Sequence, residues 1–198
     1  MLPTDQAITE LHRKYAPSDQ VYELVYTHCR IVRDIALDLI DARQLPIDRE
    51  LVRAGAMLHD IGVYPLFTEV GALRGGVSYI VHGVEGEKLL RQEGFPEVVC
   101  RFAAHHTGTG LTRRQIIERA LPLPPADYMA ETDEELLVMY ADKFHSKTTP
   151  PCFHTLETYR TYAAQFGTDG LLRLNAMAEK FGMPDLERYR QEYGFEIK

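Results

Sequence analysis

Cysteine is scarce in this sequence, and long apolar runs are absent. The three cysteines, Cys29, Cys100 and Cys152, are odd in number and far apart, which is typical of free thiols in a reducing compartment. No apolar run approaches the roughly 20 residues that a membrane span requires. Charged residues such as Glu10 and Lys14 lie where a secretory segment would need apolar ones. We therefore expect a cytoplasmic protein that does not bind membranes.

A surplus of positive charge is also absent. Lys and Arg number 22 and Asp and Glu number 29, so the net charge is −7. Binding to a nucleic-acid polymer would need a strong basic cluster, and the sequence contains none. A small anionic ligand remains compatible with this composition, because local charge can oppose the net charge.

Strand-like alternation of apolar and polar residues is absent too, whereas helical spacing recurs along the whole chain. The longest pattern starts at Ser18 and places Val21, Val25 and Ile35 on one face. Helix N-caps are predicted at Thr4, Ser18 and Asp48, and capping boxes at Thr112 with Gln115 and Thr132 with Glu135. Gly62 is predicted to end the third helix as a C′ glycine.

The pattern predicts an all-α fold, a single bundle-like domain over residues 1–198. Its core is expected in residues 18–148, and the double proline Pro150-Pro151 breaks the pattern. Helical patterns around residues 156–166, 171–181 and 184–193 follow, and these 48 C-terminal residues (151–198) are few for a separate domain. We expect them to pack on the same core.

Histidines and aspartates interrupt the apolar faces of five predicted helices. A lone case such as His28 would be explained by a buried histidine bonded to a backbone carbonyl. Asp60 is harder to explain, because a carboxylate near a helix C-terminus opposes the helix dipole. Imidazole and carboxylate are ligands for borderline or hard divalent metals, so the set predicts a metal site in the helical core. Its members are His28, His59, Asp60, His82, His105 or His106, and Asp142.

Only one of the adjacent His105 and His106 is expected to bind the metal. Consecutive helical residues point about 100° apart, so both cannot easily face one ion. His106 continues the apolar series of Val99 and Phe102, and periodicity therefore favours it.

The order and spacing of these residues resemble the HD-domain superfamily of metal-dependent phosphohydrolases, of the HDIG type. The resemblance covers roughly residues 18–148. It is carried by His28, by Leu58-His59-Asp60-Ile61-Gly62, by His82-Gly83, by His105-His106-Thr107-Gly108 and by the motif from Tyr140 to Lys147. The histidines between the His59-Asp60 pair and Asp142 are similar to those of dinuclear members, including bacterial symmetrical dinucleoside-tetraphosphate hydrolases.

The resemblance implies two divalent ions of iron, manganese, zinc or a similar metal. His28, His59, Asp60 and Asp142 would hold one ion. Asp60 would bridge to a second ion held by His82 and His106. The family motif has a histidine followed by a short turn, as His106 is followed by Thr107-Gly108.

The implied reaction is hydrolysis of a phosphate ester or anhydride of a small molecule, a nucleotide being the expected substrate. Two alternatives remain open, because the ligand set alone does not separate them. The first is a dinuclear-iron oxygenase, since some proteins that resemble this fold are oxygenases. The second is a metal-dependent nucleotide sensor without catalytic activity.

A phosphate-binding pocket in an acidic protein needs cations, and three are candidates. Lys143 follows Asp142 directly, and Lys147 lies one helical turn further on, so the two are expected on one face. Arg74, in a Gly-containing irregular segment, is a third candidate, with a solvated surface charge as the alternative. Catalytic roles are expected for Asp60, Lys143 and His105. His105 would contact the substrate or carry a proton, or else be a surface residue at a helix end.

Overall fold

Ten α-helices make up most of residues 2–165 and 167–198, which are the residues that the computed structural model describes. This confirms the predicted all-α fold. The helices are α1 (Asp5–Tyr15), α2 (Asp19–Arg43), α3 (Arg49–Leu58), α4 (His82–Gln92), α5 (Glu97–His105), α6 (Arg113–Glu118), α7 (Asp133–Asp142), α8 (Leu156–Ala164), α9 (Thr168–Phe181) and α10 (Leu186–Tyr193). Within these described ranges, no helix is long and apolar enough to cross a membrane.

Seven of the ten helices begin where a short polar side chain accepts a hydrogen bond from a free backbone amide. Thr4, Ser18 and Asp48 cap α1, α2 and α3 in this way, as predicted. Thr112 and Gln115 form the complete predicted capping box of α6. Thr132 caps α7 as predicted, but the side chain of Glu135 accepts from the amide of Glu131 instead.

Helix α2 is the central element of the core, because α3 and α7 both pack on it. Val25, Ile31, Val32 and Ile35 of its apolar face are fully buried. Burial of each such side chain stabilises the fold by about 1.5–3 kcal/mol. The face also includes His28, which is fully buried among these apolar residues. The imidazole of His28 therefore lies inside the bundle, as its position on the apolar face of α2 predicts.

Gly62 does not end α3, and the prediction of a C′ glycine is wrong. Helix α3 ends at Leu58, and Ile61–Leu66 forms a 3-10 segment that contains Gly62. A Cβ atom at Gly62 would lie 2.1 Å from the carbonyl oxygen of His82 and 2.2 Å from the amide nitrogen of Gly86. Glycine is needed here because α4 crosses this segment at backbone contact, which brings His82 close to Asp60.

A small three-stranded sheet lies beside the bundle. Strands β1 (His145–Ser146) and β2 (Cys152–Phe153) pair antiparallel, and β2 pairs in parallel with β3 (Glu196–Ile197). Each strand has two residues, which is too short to produce an alternating pattern in the sequence. The sheet joins the segment after α7 to the end of the chain.

Helices α8–α10 lie on the same core as the rest of the bundle. Helix α9 packs on α7 and α2, and its Leu174 and Phe181 are fully buried. Tyr140 of α7 donates a hydrogen bond to the carbonyl of Gly182, at 2.8 Å. The helix predicted over residues 156–166 ends at Ala164, and residue 166 lies outside the described residues.

Candidate metal centre

The six predicted metal ligands lie together at the centre of the bundle, although they lie in or directly after five separate helices. The side chains of His28, His59, Asp60, His82 and His106 are at most 7% exposed, and that of Asp142 is 17% exposed. His28 lies within α2, His59 and Asp60 follow α3, His82 begins α4, His106 follows α5 and Asp142 ends α7.

Four of these side chains form a first group around one point. His28 Nε2 lies 3.0 Å from Asp142 Oδ1, 3.2 Å from Asp60 Oδ2 and 3.2 Å from His59 Nε2. His59 Nε2 lies 3.5 Å from Asp142 Oδ1 and 3.7 Å from Asp60 Oδ2. Ligand atoms about 2.1 Å from one ion are about 3.0–3.4 Å apart in octahedral or tetrahedral coordination. The spacing of the first group therefore fits a single divalent ion.

Asp60 also belongs to a second group, through its other oxygen. Asp60 Oδ1 lies 3.5 Å from His82 Nε2 and 3.5 Å from His106 Nε2, and these two nitrogens are 2.9 Å apart. The two oxygens of one carboxylate therefore face two different sets of imidazole nitrogens. This arrangement can hold two ions that share Asp60.

Backbone carbonyls fix the tautomers of three of these histidines. The Nδ1 atom of His59 donates to the carbonyl of Ala56 and that of His82 donates to Tyr79, both at 2.7 Å. The Nδ1 atom of His106 faces the carbonyl of Ala103 at 2.8 Å. In the neutral form of each ring the proton is therefore on Nδ1 and the lone pair is on Nε2, as in metal-binding histidines generally. Burial lowers the pKa of His59, but the charge of Asp60 outweighs burial and raises this pKa well above its usual range, so His59 also carries a proton on Nε2 until a metal replaces it.

The second group is unfavourable without a cation. Burial lowers the pKa of His82 to about 3, and burial also lowers the pKa of His106, so both rings are neutral. Their Nε2 lone pairs face each other at 2.9 Å with no proton between them. Asp60 Oδ1 is buried, and no hydrogen-bond donor reaches it among the described residues. A divalent ion would satisfy all three atoms, so the side chains present fit a metal.

Two lysines balance the carboxylates of the centre. Lys147 Nζ donates to Asp60 Oδ2, and Lys143 Nζ donates to Asp142 Oδ2 at 2.7 Å and to the carbonyl of His106 at 3.0 Å. Burial alone would raise the pKa of Asp60, but Lys147 and His59 outweigh it and hold this pKa well below its usual range. The carboxylate is therefore ionised and able to bind a cation.

The predicted geometry of the two lysines is wrong, although both reach the centre. Helix α7 ends at Asp142, so Lys143 and Lys147 are not one helical turn apart. Lys147 follows strand β1, which carries it back across Asp60. Lys143 is 4% exposed and is already held by two acceptors.

A cavity of about 880 Å³ opens beside the metal ligands. Its lining includes Asp60, His82, His106 and Asp142, together with Lys143 and Lys147. The remaining wall is largely apolar and aromatic and also carries polar side chains. It includes Phe67, Tyr79, Ile80, Leu111, Gln115, Arg119, Leu121, Tyr159, Tyr162 and Arg173. The cavity can therefore admit a molecule whose anionic end meets the metal ligands and whose larger remainder contacts this wall.

The structure does not bring His105 and Arg74 to the cavity. His105 Nδ1 lies 3.2 Å from Glu135 Oε2, and Arg101 also binds Glu135, at 2.8 Å. His105 is thus a buried partner of Glu135, which is neither of the roles expected from the sequence. Arg74 is exposed and donates to the carbonyl of Pro65 at 3.1 Å. Neither residue lines the cavity.

His145 is a buried histidine of the site that sequence reasoning missed. Its Nδ1 atom lies 2.8 Å from His28 Nδ1, and its ring lines the cavity. It occurs within the motif from Tyr140 to Lys147, but no helical stripe marks it because it lies in strand β1. The two-residue strand gives no periodic signal that could have placed it.

A protein family model and several known proteins match this chain. The HD domain family model matches residues 25–147, which is more than half of the chain. A protein of Methanocaldococcus jannaschii without an assigned function is 40% identical over 123 residues, 61% of this chain and 65% of its own. A tRNA (cytidine(56)-2'-O)-methyltransferase of Thermoplasma volcanium is 34% identical over 142 residues, 72% of this chain. The chain spans only 36% of that methyltransferase.

Solved structures show the same fold. The HD domain of the L. monocytogenes phosphodiesterase PgpH superposes with a TM-score of 0.51 and 17% identity, covering 92% of both chains. Its complex with cyclic-di-AMP superposes with a TM-score of 0.55 and 16% identity, covering 96% of this chain and 99% of that one. The family match, the ligand order and this fold agree, and the chain belongs to the HD domain family.

Proposed function

We propose that this protein is a divalent-metal-dependent phosphohydrolase that cleaves a phosphate ester or anhydride of a small molecule, with a nucleotide as the expected substrate. The observation that carries the proposal is the position of Asp60. Its two oxygens face two separate groups of imidazole nitrogens, and it lines a cavity that is also lined by two lysines.

Two ions would be held by the two ligand groups. His28, His59, Asp60 and Asp142 would bind the first ion, and Asp60, His82 and His106 the second. Such a pair supplies Lewis acidity that polarises a phosphoryl group and activates water as the nucleophile. Iron, manganese and zinc all suit a set of imidazole and carboxylate ligands.

The two lysines have different roles in this proposal. Lys143 is fixed by Asp142 and by the carbonyl of His106, and it therefore positions a metal ligand. Lys147 contacts Asp60 Oδ2, the atom that the first ion would bind. If a metal took that oxygen, the ammonium group of Lys147 would be available at the cavity wall for a phosphoryl oxygen.

The size and lining of the cavity support a substrate larger than inorganic phosphate. Its volume of about 880 Å³ lies in the upper part of the range for small-molecule sites, about 300–1,000 Å³. Tyr79, Ile80, Leu121 and Tyr159 offer apolar and aromatic surface to a flat group such as a nucleobase. The PgpH HD domain that binds cyclic-di-AMP has the same fold, which is consistent with a nucleotide.

The proposal is tested by loading the protein with iron, manganese or zinc and screening nucleotides and sugar phosphates, under argon and in air. We expect phosphate release under argon. Strict dependence on oxygen would instead support an oxygenase, and nucleotide binding without turnover would support a sensor.

Lysine variants sharpen this test. We expect Lys147→Met to raise KM for the phosphorylated substrate about tenfold or more, because a hydrogen bond to a charged group contributes about 1.5–3 kcal/mol. Its metal content should not fall, whereas Lys143→Met should lose metal because Asp142 loses its partner. The exposed Lys88 of α4 provides a matched control, and Lys88→Met should leave KM and metal content unchanged. An unchanged KM in Lys147→Met would exclude Lys147 from the substrate site.

A further inference from the structure

His28 differs from the other histidines of the metal centre in the partner of its Nδ1 atom. His59, His82 and His106 each place Nδ1 on a backbone carbonyl, which can only accept a hydrogen bond. The Nδ1 atom of His28 instead lies 2.8 Å from Nδ1 of His145. The tautomer of His28 is therefore set by another side chain and not by the backbone.

Metal binding by His28 allows only one arrangement of protons in this pair. If Nε2 of a neutral His28 is to bind an ion, its proton must be on Nδ1. The Nδ1 atom of His145 must then accept that proton's hydrogen bond, and the single proton of a neutral His145 is on its own Nε2 atom. The two Nδ1 atoms are 2.8 Å apart, so the lone pair of His145 Nδ1 is within hydrogen-bond distance of that proton.

The position of His145 is fixed by the small sheet. His145 pairs with Phe153 in the antiparallel register of β1 and β2. Its ring, 5% exposed, has the ring of Phe153 5.3 Å away and that of Phe195 5.6 Å away, and Phe195 directly precedes β3. In the part of the chain that the structure describes, Nε2 of His145 has no hydrogen-bond partner. The contacts of the ring therefore come from His28 and from aromatic packing.

We propose that His145 is a positioning residue of the metal centre: it accepts the hydrogen bond of His28 Nδ1 and so holds His28 with its Nε2 lone pair on the ion. This inference rests on the proposed metal-dependent function. The role is specific, because a hydrogen-bond acceptor is required at one position and a donor there would turn His28 away from the ion.

Two substitutions at this position separate the role from simple packing. His145→Leu keeps an apolar side chain against the rings of Phe153 and Phe195 but offers no hydrogen-bond acceptor. His145→Asn places its amide oxygen where Nδ1 was and can accept from His28. Loss of an outer partner of a ligating histidine typically weakens metal binding about 10–100-fold. We expect a loss in that range for His145→Leu at the ion held by His28, and recovery of most of the affinity in His145→Asn.

The measurement is titration of the metal-free protein with Co²⁺, followed by the visible absorption of the bound ion. Binding at the group of His82 and His106 should change little in either variant. His154→Leu removes a nearby histidine whose Nε2 atom lies 3.5 Å from Cys152 Sγ, and it should leave both affinities unchanged. Equal affinities in wild type, His145→Leu and His145→Asn would overturn the positioning role while leaving the proposed function intact. A wild-type protein that binds no Co²⁺ would overturn both.

A second measurement needs no variant. Nitrogen–proton correlation spectra of the zinc-loaded protein report which ring nitrogen of each histidine carries the proton. We expect the Nδ1–H form for His28 and the Nε2–H form for His145. An Nδ1–H form of His145 would contradict the proposal even if His145→Leu failed to fold.

Discussion

His12 is a buried histidine outside the metal centre, and it joins three parts of the fold. Its Nε2 atom donates to the carbonyl of Met57 in α3, and its Nδ1 atom accepts from the hydroxyl of Tyr64, both at 2.7 Å. Both ring nitrogens are therefore used by a neutral imidazole. Burial lowers the pKa of His12 to about 4, since a proton would have to enter without a new partner.

The depressed pKa of His12 predicts a loss of stability in mild acid. The unfolded chain takes up the proton near pKa 6.5 and the folded chain only near 4, so folding is favoured above about pH 6.5 and weakened between 6.5 and 4. Linkage gives a decrease of about 2 kcal/mol in the free energy of unfolding from about pH 7.5 to about pH 5.

The measurement is urea unfolding of the metal-free protein at both pH values, for wild type and for His12→Leu. The variant is expected to be less stable at neutral pH, because Tyr64 and the carbonyl of Met57 lose their partner. Between the two pH values, the free energy of unfolding of the variant should also decrease by about 2 kcal/mol less than that of wild type. Titration of the metal-centre histidines is common to both proteins and cancels in the comparison. An identical pH dependence in both proteins would show that His12 is not the responsible group.

At the scale of single residues, the sequence predicted which side chains gather but not all of their partners. Periodicity and the family motif favoured His106 over His105, and the structure places only His106 in the cluster. Sequence periodicity could not place His105, because its partner Glu135 is 30 residues away. His145 was missed because it lies in a two-residue strand without a periodic pattern and because its partner His28 is 117 residues away.

Among the elements, the crossing of α4 over the 3-10 segment at Gly62 is the contact that brings the second ligand group to Asp60. We expect Gly62→Ala to cost on the order of 3 kcal/mol, because the added methyl group would meet backbone atoms that cannot move independently. For a chain of this length the loss corresponds to a decrease in Tm of roughly 6–12 °C. Calorimetry of the metal-free variant measures it.

Gly75 provides the matched control for this substitution. A Cβ at Gly75 would meet no atom within 4 Å, so Gly75→Ala should leave Tm unchanged. If both variants had the same Tm as the wild type, α4 could not be in backbone contact with the segment that contains Gly62.

The helices were predictable as elements because their N-caps are local. The side chains of Thr4, Ser18 and Asp48 accept hydrogen bonds from amides at most three residues further along the chain. A short stretch of sequence is therefore enough to predict where these helices begin. The end of α3 was not predictable in this way. Glycine is required at position 62 because the carbonyl of His82 lies close to it. The residues adjacent to Gly62 in the sequence do not distinguish this close approach from a glycine that ends a helix.

For the molecule as a whole, we expect metal binding to add directly to stability. An ion that binds only the folded chain stabilises it by about 2.7 kcal/mol per site at a free concentration of 100 times Kd. Thermal unfolding with manganese should therefore give a higher Tm than with a chelator. Asp60→Asn should lose the whole gain because both sites use Asp60, whereas His82→Ala should keep the part due to the first ion. A Tm of wild type that does not respond to metal would contradict the two-ion centre.

The ligands of the centre are spread from residue 28 to residue 142, on elements that meet only in the finished bundle. Among these ligands only His59 and Asp60 are adjacent in the sequence, and two ligands fill too few coordination positions to hold an ion firmly. We therefore expect an ion to bind after the chain has folded and not to nucleate folding. Added metal should leave the refolding rate unchanged and slow only the unfolding rate, because the complete ligand set forms only in the folded protein.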